Sequence, residues 1–141
     1  MTAITTPQQQ IIDACEANYT AHIGDCSGFC KAVARELGIT FLSGMANDIV
    51  DEIQTAPWIV LADGIAAKAQ ADAGNLVIGG LKDLPHGHVV VVVQGPLAHE
   101  KYPTAYWGSL AGKPGKNQTI NWAWNMADRD HVIYACVPLP A

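Results

Sequence analysis

Two short stretches carry residue types that make and break amide bonds. Asp25-Cys26-Ser27-Gly28-Phe29 sets a thiol directly after a residue suited to start a helix. His86-Gly87-His88 sets two imidazoles at the head of the run Val89 to Val93. A nucleophilic cysteine needs a base that is near in space and held in one tautomer, and a histidine at the mouth of a strand suits that need. A helix N-terminus has unpaired N–H groups and a positive partial charge. Both favour thiolate over thiol, so Cys26 is expected to carry a lowered pKa. The same backbone N–H groups near Cys26 are the expected donors to the oxyanion of a tetrahedral intermediate. Gly28 is small enough to let a substrate come close. Taken alone, Cys26 reads more readily as a buried small hydrophobe, and either histidine as a polar residue at a strand end. The two stretches together shift the reading to chemistry. His86 and His88 share a face if the strand already includes both, or are sent apart if Gly87 marks a bend; His88 is the better base, because the strand leads directly from it. A His-x-His pair also suits a metal, but no third ligand accompanies it, so neither metal nor other cofactor is expected.

The elements that must position these groups are legible around them. Thr6-Pro7-Gln8-Gln9 reads as a helix start, with Thr6 as cap, Pro7 in the first turn and Gln9 completing a capping box. That helix runs to about Tyr19, with Ile11, Ile12, Cys15 and Tyr19 inward. Asp25 caps the next helix, where Cys26, Phe29, Cys30, Val33 and Leu37 form one apolar stripe and Gly38 is the stop. Further helices fit Ala46 to Gln54 and Gly64 to Ala73. Strands follow at Asn75 to Ile78, His88 to Gln94, Thr104 to Ser109, Ile120 to Trp124 and Val132 to Val137. Helices first and strands later imply an α+β fold with an antiparallel sheet. Val89 to Val93 is apolar on both alternating faces, so it is expected to be a central strand covered on both sides.

Composition narrows the function classes. The 141 residues suit a single domain, 1–141, able to bury roughly two-thirds of its unfolded surface without a metal or disulfide. Half the residues are hydrophobic, 15% are charged, and the net charge is −5 without a Lys/Arg cluster. Such a chain is a poor partner for nucleic acid or an anionic membrane. The first ten residues have neither the positive nor the apolar region of a secretory signal. The longest apolar run is too short to span a bilayer, so no membrane insertion is expected.

Asp25-Cys26-Ser27-Gly28-Phe29 paired with Gly87-His88-Val89 resembles the NlpC-type, papain-like cell-wall peptidases. The resemblance extends in order through Leu37-Gly38, Ser43-Gly44-Met45-Ala46-Asn47, the segment Leu76 to Lys82, and Gly95-Pro96-Leu97. It continues through Lys101-Tyr102-Pro103, Gly108-Ser109-Leu110-Ala111-Gly112, Trp124-Asn125 and Asp128-Arg129-Asp130. This series is similar to the first family of type VI secretion amidase effectors and spans the chain from about Asp13 onward. The resemblance implies a papain-like fold, N-terminal helices packed on an antiparallel sheet, with the nucleophile at a helix N-terminus. It implies an enzyme injected into neighbouring Gram-negative cells by secretion machinery. There it would cut the bond between D-glutamate and meso-diaminopimelate in peptidoglycan stem peptides. Cys26 takes the nucleophile's place and His88 that of the general base. The implied partner of the injecting cell is a cognate immunity protein that plugs the active site. Injection also accounts for a wall enzyme made in the cytoplasm without a signal and acting in the target-cell periplasm. A phage or housekeeping endopeptidase of the same chemistry, or a catalytically dead binding module, are the rival readings.

One position departs from the family pattern. The strand after His88 is expected to supply a third, orienting group, and where the resemblance suggests a cysteine this chain has Trp107. An indole only donates a hydrogen bond, so it cannot do what a carboxylate does for an imidazole. A backbone carbonyl, Ser109 or Tyr106 are the alternatives, and the third role is left open. Trp122 and Trp124 are read as packing aromatics before groove-lining ones, and Asp128-Arg129-Asp130 as a turn with local ion pairs. An oxidising site of action makes a Cys15–Cys136 disulfide, contributing about 4 kcal/mol by closing a long loop, one reading of these two residues, and a pair of unrelated buried cysteines the other.

Overall fold

The computed structural model describes residues 5–141, so the first four residues of the N-terminal reading lie outside the described part. Four helices precede or interrupt six strands: α1 (Pro7–Tyr19), α2 (Cys26–Glu36), α3 (Ala46–Glu52), β1 (Ile59–Leu61), α4 (Gly64–Asp72), β2 (Leu76–Leu81), β3 (His88–Val92), β4 (Thr104–Trp107), β5 (Gly115–Thr119) and β6 (Ile133–Val137). The strands form one antiparallel sheet in the order β1-β6-β2-β3-β4-β5. The fold is α+β and compatible with a papain-like amidase, as the sequence implies.

The valine run decides the layering. Val89, Val91 and Val93 are buried against α1, α2 and α3, while Val90 and Val92 are buried on the opposite face with Ala67 and Ala71 of α4. Alternation along a strand sends successive side chains to opposite faces. A strand apolar at every position therefore has to be covered twice, and β3 is.

The helix ends follow from their caps. Thr6 Oγ1 accepts from the Gln9 N–H at 3.2 Å, but the Gln9 side chain turns to Asp13 at 2.8 Å, so the expected capping box is not closed. Asp25 Oδ1 accepts from the Gly28 N–H at 3.0 Å and from Ser27 Oγ at 3.1 Å, which fixes the start of α2 at Cys26. Gly38, at φ 85°, ends that helix as expected.

Three sequence expectations are corrected. Ile120 to Trp124 is not a strand. Ile120–Trp122 is a 3-10 turn in which the Ala123 and Trp124 N–H groups return to the Ile120 carbonyl. Its lead-in, β5, is a polar edge strand that no apolar alternation marks, and β1 is an exposed edge strand of three residues. Cys15 and Cys136 do not form a bridge. All four cysteines are free, Cys15 packing on the α1–α3 face and Cys136 on the α4 face. The sheet itself separates the two thiols. Finally, the ion pairs of Asp128-Arg129-Asp130 are not local. Asp130 accepts from Tyr102 Oη at 2.6 Å and pairs with Lys101 Nζ at 3.1 Å, while Arg129 lies over the Tyr102 ring. Two motifs far apart in sequence thus hold one another.

Candidate active site

Cys26 opens α2, and the loop before it is held from β4. The Ser109 N–H donates to the Ile23 carbonyl at 2.9 Å, and Gly108 packs so closely on the His22 and Asp25 carbonyls that any side chain there would collide with them. Gly28 has a different role from the one expected. The space a Cβ would fill is taken by the Asp25 carboxylate, so this glycine admits the cap and not a substrate. The Gly28 N–H serves that cap and the Phe29 N–H bonds the Asp25 carbonyl. The backbone N–H groups of Val89, Ser27 and Cys26 act on the Cys26 thiol in the direction of a lower pKa.

His88 is the first residue of β3, and Gly87 lies outside the strand. His86 is exposed in the preceding loop. That loop is pinned from α3, where Asn47 donates to the Asp83 carbonyl at 2.9 Å and accepts from its N–H at 3.2 Å. Lys82 adds an ion pair to Asp51. The Ser43-Gly44-Met45-Ala46-Asn47 motif therefore acts as a clamp on the histidine loop, a role that only a long-range contact reveals.

The His88 ring lies between two indoles, with centroids 5.1 Å from Trp124 and 6.4 Å from Trp107, both edge-to-face. Among the described residues no side chain hydrogen-bonds the ring. Burial holds its pKa down, to about 4 from the ordinary 6.5. Trp107 is buried, covers Gly115 across the β4–β5 pair, and donates from Nε1 to the Lys113 carbonyl at 3.0 Å. Its indole N–H thus anchors the loop after β4 and is not aimed at the imidazole. Tyr106 points to the other face, toward Glu16. Ser109, by contrast, lines the same cleft as His88.

The thiol departs from the sequence expectation. Burial pushes the Cys26 pKa above its ordinary 9.0, and the Asp25 carboxylate adds to the rise. The Val89, Ser27 and Cys26 N–H groups oppose this without reversing it. The backbone N–H groups lower the pKa, as argued from sequence, but a residue only 8% exposed loses more to desolvation than it gains.

Cys26 and His88 line one cleft of about 500 Å³, with Ser109, Leu110, Lys113 and Trp122 among its walls. A second hollow of about 310 Å³ also reaches Cys26 and is walled by Lys31, Met45 and Asn47. The two share Cys26, Pro85, His86, Gly87 and Leu110, so they are lobes of one groove that meet at the sulfur. Trp122, taken from sequence as a packing residue, is 72% exposed and lines this groove, whereas Trp124 is buried as expected. Ile120 and Trp124, four apart in the turn, share the inner side and leave Trp122 outside. Among the described residues no three His, Cys, Asp or Glu side chains gather as metal ligands would, and no helix is long and apolar enough to cross a membrane.

A buried thiol at a helix N-terminus and an unprotonated imidazole in the same groove are the parts needed for acyl transfer. No family model matches the chain. The chain is similar to the peptidoglycan amidase Tse1 of Pseudomonas aeruginosa, 40% identical over 136 residues that cover 89% of this chain and 88% of the relative. With that identity running through both the helical half and the sheet, the chain belongs to the family of this peptidoglycan amidase, the type VI secretion amidase effectors whose ordered motifs it carries.

Proposed function

We propose that the chain, acting as one domain over 1–141, is a cysteine-dependent peptidoglycan amidase that hydrolyses the D-glutamate–meso-diaminopimelate bond of wall stem peptides. The observation that carries this reading is the meeting of Cys26 and His88 in one groove, in a chain 40% identical to a peptidoglycan amidase.

The resting pair is neutral, thiol and imidazole, because burial acts on both groups in that direction. The reaction then begins with proton transfer from Cys26 Sγ to His88 as the sulfur attacks the amide carbonyl carbon. The Cys26 and Ser27 N–H groups stabilise the oxyanion that forms. The His88 imidazolium gives its proton to the leaving diaminopimelate amine, and a thioester to D-glutamate remains on Cys26. His88 then takes a proton from water, hydroxide displaces the thioester sulfur, and the free acid and thiol are restored. The two indoles hold the ring by its edges, which supplies orientation without a third hydrogen-bonding side chain. Trp107 is thereby consistent with a working enzyme and is not the mark of a dead module.

The biological setting follows the family. The chain is delivered by type VI secretion machinery, acts in the target-cell periplasm, and is neutralised in the producing cell by a cognate immunity protein. Exposed Met45, Leu84, Leu110 and Trp122 around the groove offer that partner an apolar footing. Expression in a Gram-negative host tests the setting. Fused to an export signal, the chain is expected to lyse the cells, and without the signal it is expected to be tolerated. Lysis by the exported Cys26→Ala protein, or equal toxicity from both compartments, would contradict it.

A further inference from the structure

The two lobes of the groove differ from the rest of the surface in one respect, the state of their lysines. The chain has six lysines. Four are held by carboxylates: Lys68 by Asp72, Lys82 by Asp51, Lys101 by Asp130 and Lys116 by Glu16. Among the described residues, Lys31 and Lys113 have no carboxylate within 4.0 Å, the ion-pair limit. Those two line the groove, Lys31 in the lobe of about 310 Å³ and Lys113 in the lobe of about 500 Å³. They stand on either side of Cys26. Each lobe also has one acid, but both are committed to their own backbone. Asp25 caps α2, and Asp83 accepts from the Leu84 N–H at 2.8 Å. In a chain of net charge −5, the lysines left without partners among the described residues are the two that line the groove.

The substrate has a matching charge pattern. D-Glutamate enters the stem through its side-chain carboxyl, which leaves its α-carboxylate free on the acyl side of the scissile bond. Diaminopimelate keeps one carboxylate outside the chain on the leaving side. A free carboxylate of the residue itself therefore flanks the bond on each side. We propose that Lys31 and Lys113 are specificity-determining residues, each receiving one of these two carboxylates and so setting the stem across Cys26. This rests on the bond assignment made above. The lysines are partly or fully exposed, so each contact acts through substrate capture and register more than through the chemical step.

Three disaccharide tetrapeptides provide the test: the unmodified form, one with the D-glutamate α-carboxyl amidated, and one with the free diaminopimelate carboxyl amidated. On the unmodified form, Lys31→Met and Lys113→Met are each expected to lower kcat/KM about tenfold, chiefly through KM, with Lys→Arg restoring it. Amidating one carboxyl is expected to erase the effect of one lysine variant and leave that of the other, and the second amidation to do the reverse. Equal losses on all three substrates, or no loss on any, would overturn the assignment. If the wild-type protein leaves the D-glutamate–diaminopimelate bond intact in all three, the bond assignment itself fails and the lysine roles fall with it.

Discussion

At the scale of the residue, the proposed chemistry rests on two groups that burial shifts toward their uncharged forms. His88 is held at about 4, below its ordinary 6.5, by desolvation. Its base form therefore persists well below neutral pH. The acid limb of kcat/KM is expected near pH 4, with little change down to about pH 5. A limb at or above 6.5 would show that His88 is solvated or not the base. Stability shifts the same way. The unfolded chain takes up a proton on His88 below 6.5 while the folded chain resists until about 4, so stability present above 6.5 is lost across that window. Cys26 and His88 stood out in the sequence as candidates because each sits at the first position of an element, and both line one groove. Their protonation states did not. A cap and a helix terminus predict a lowered thiol pKa, and only the packed structure shows the desolvation that outweighs them.

At the scale of the element, the site is held by ends. The N-terminus of α2, the head of β3 and the tail of β4 converge, each fixed by a specific contact: the Asp25 cap, the Asn47 clamp on Asp83, and the Ser109 N–H on the Ile23 carbonyl. Asp25→Ala removes one side-chain acceptor from the first turn of α2. It is expected to cost about 1 kcal/mol of stability, roughly 3 °C in Tm, measured by thermal unfolding. An unchanged Tm would show that the cap does not hold the helix start. The amphipathic helices and the doubly buried β3 were readable because periodicity and burial agree there. Edge strands β1 and β5 were not: β5 faces water and carries no apolar alternation, and β1, apolar at all three positions, is too short to show a period. Ile120 to Trp124 misled for the opposite reason. Its apolar residues fit strand spacing, but Ile120 and Trp124 meet on one side of a turn while Trp122 projects into the groove.

At the scale of the whole molecule, one sheet divides two apolar layers, and the reactive groove opens where strand and helix ends meet. That division separates Cys15 from Cys136, which no count of cysteines reveals. It also sets the Lys101-Tyr102-Pro103 and Asp128-Arg129-Asp130 motifs against each other, a pairing invisible in linear order. The architecture was therefore open to sequence reasoning, while the walls of the groove came from contacts distant in the chain. The central claim is that Cys26 in this groove cuts wall peptides between D-glutamate and diaminopimelate. Digestion of purified Gram-negative sacculi by the wild-type protein and by folded Cys26→Ala, with fragments identified by mass spectrometry, tests it most directly. The account predicts fragments split at that bond by the wild type alone. Fragments of the same kind from Cys26→Ala, or intact stem peptides after digestion by the wild type, would contradict it.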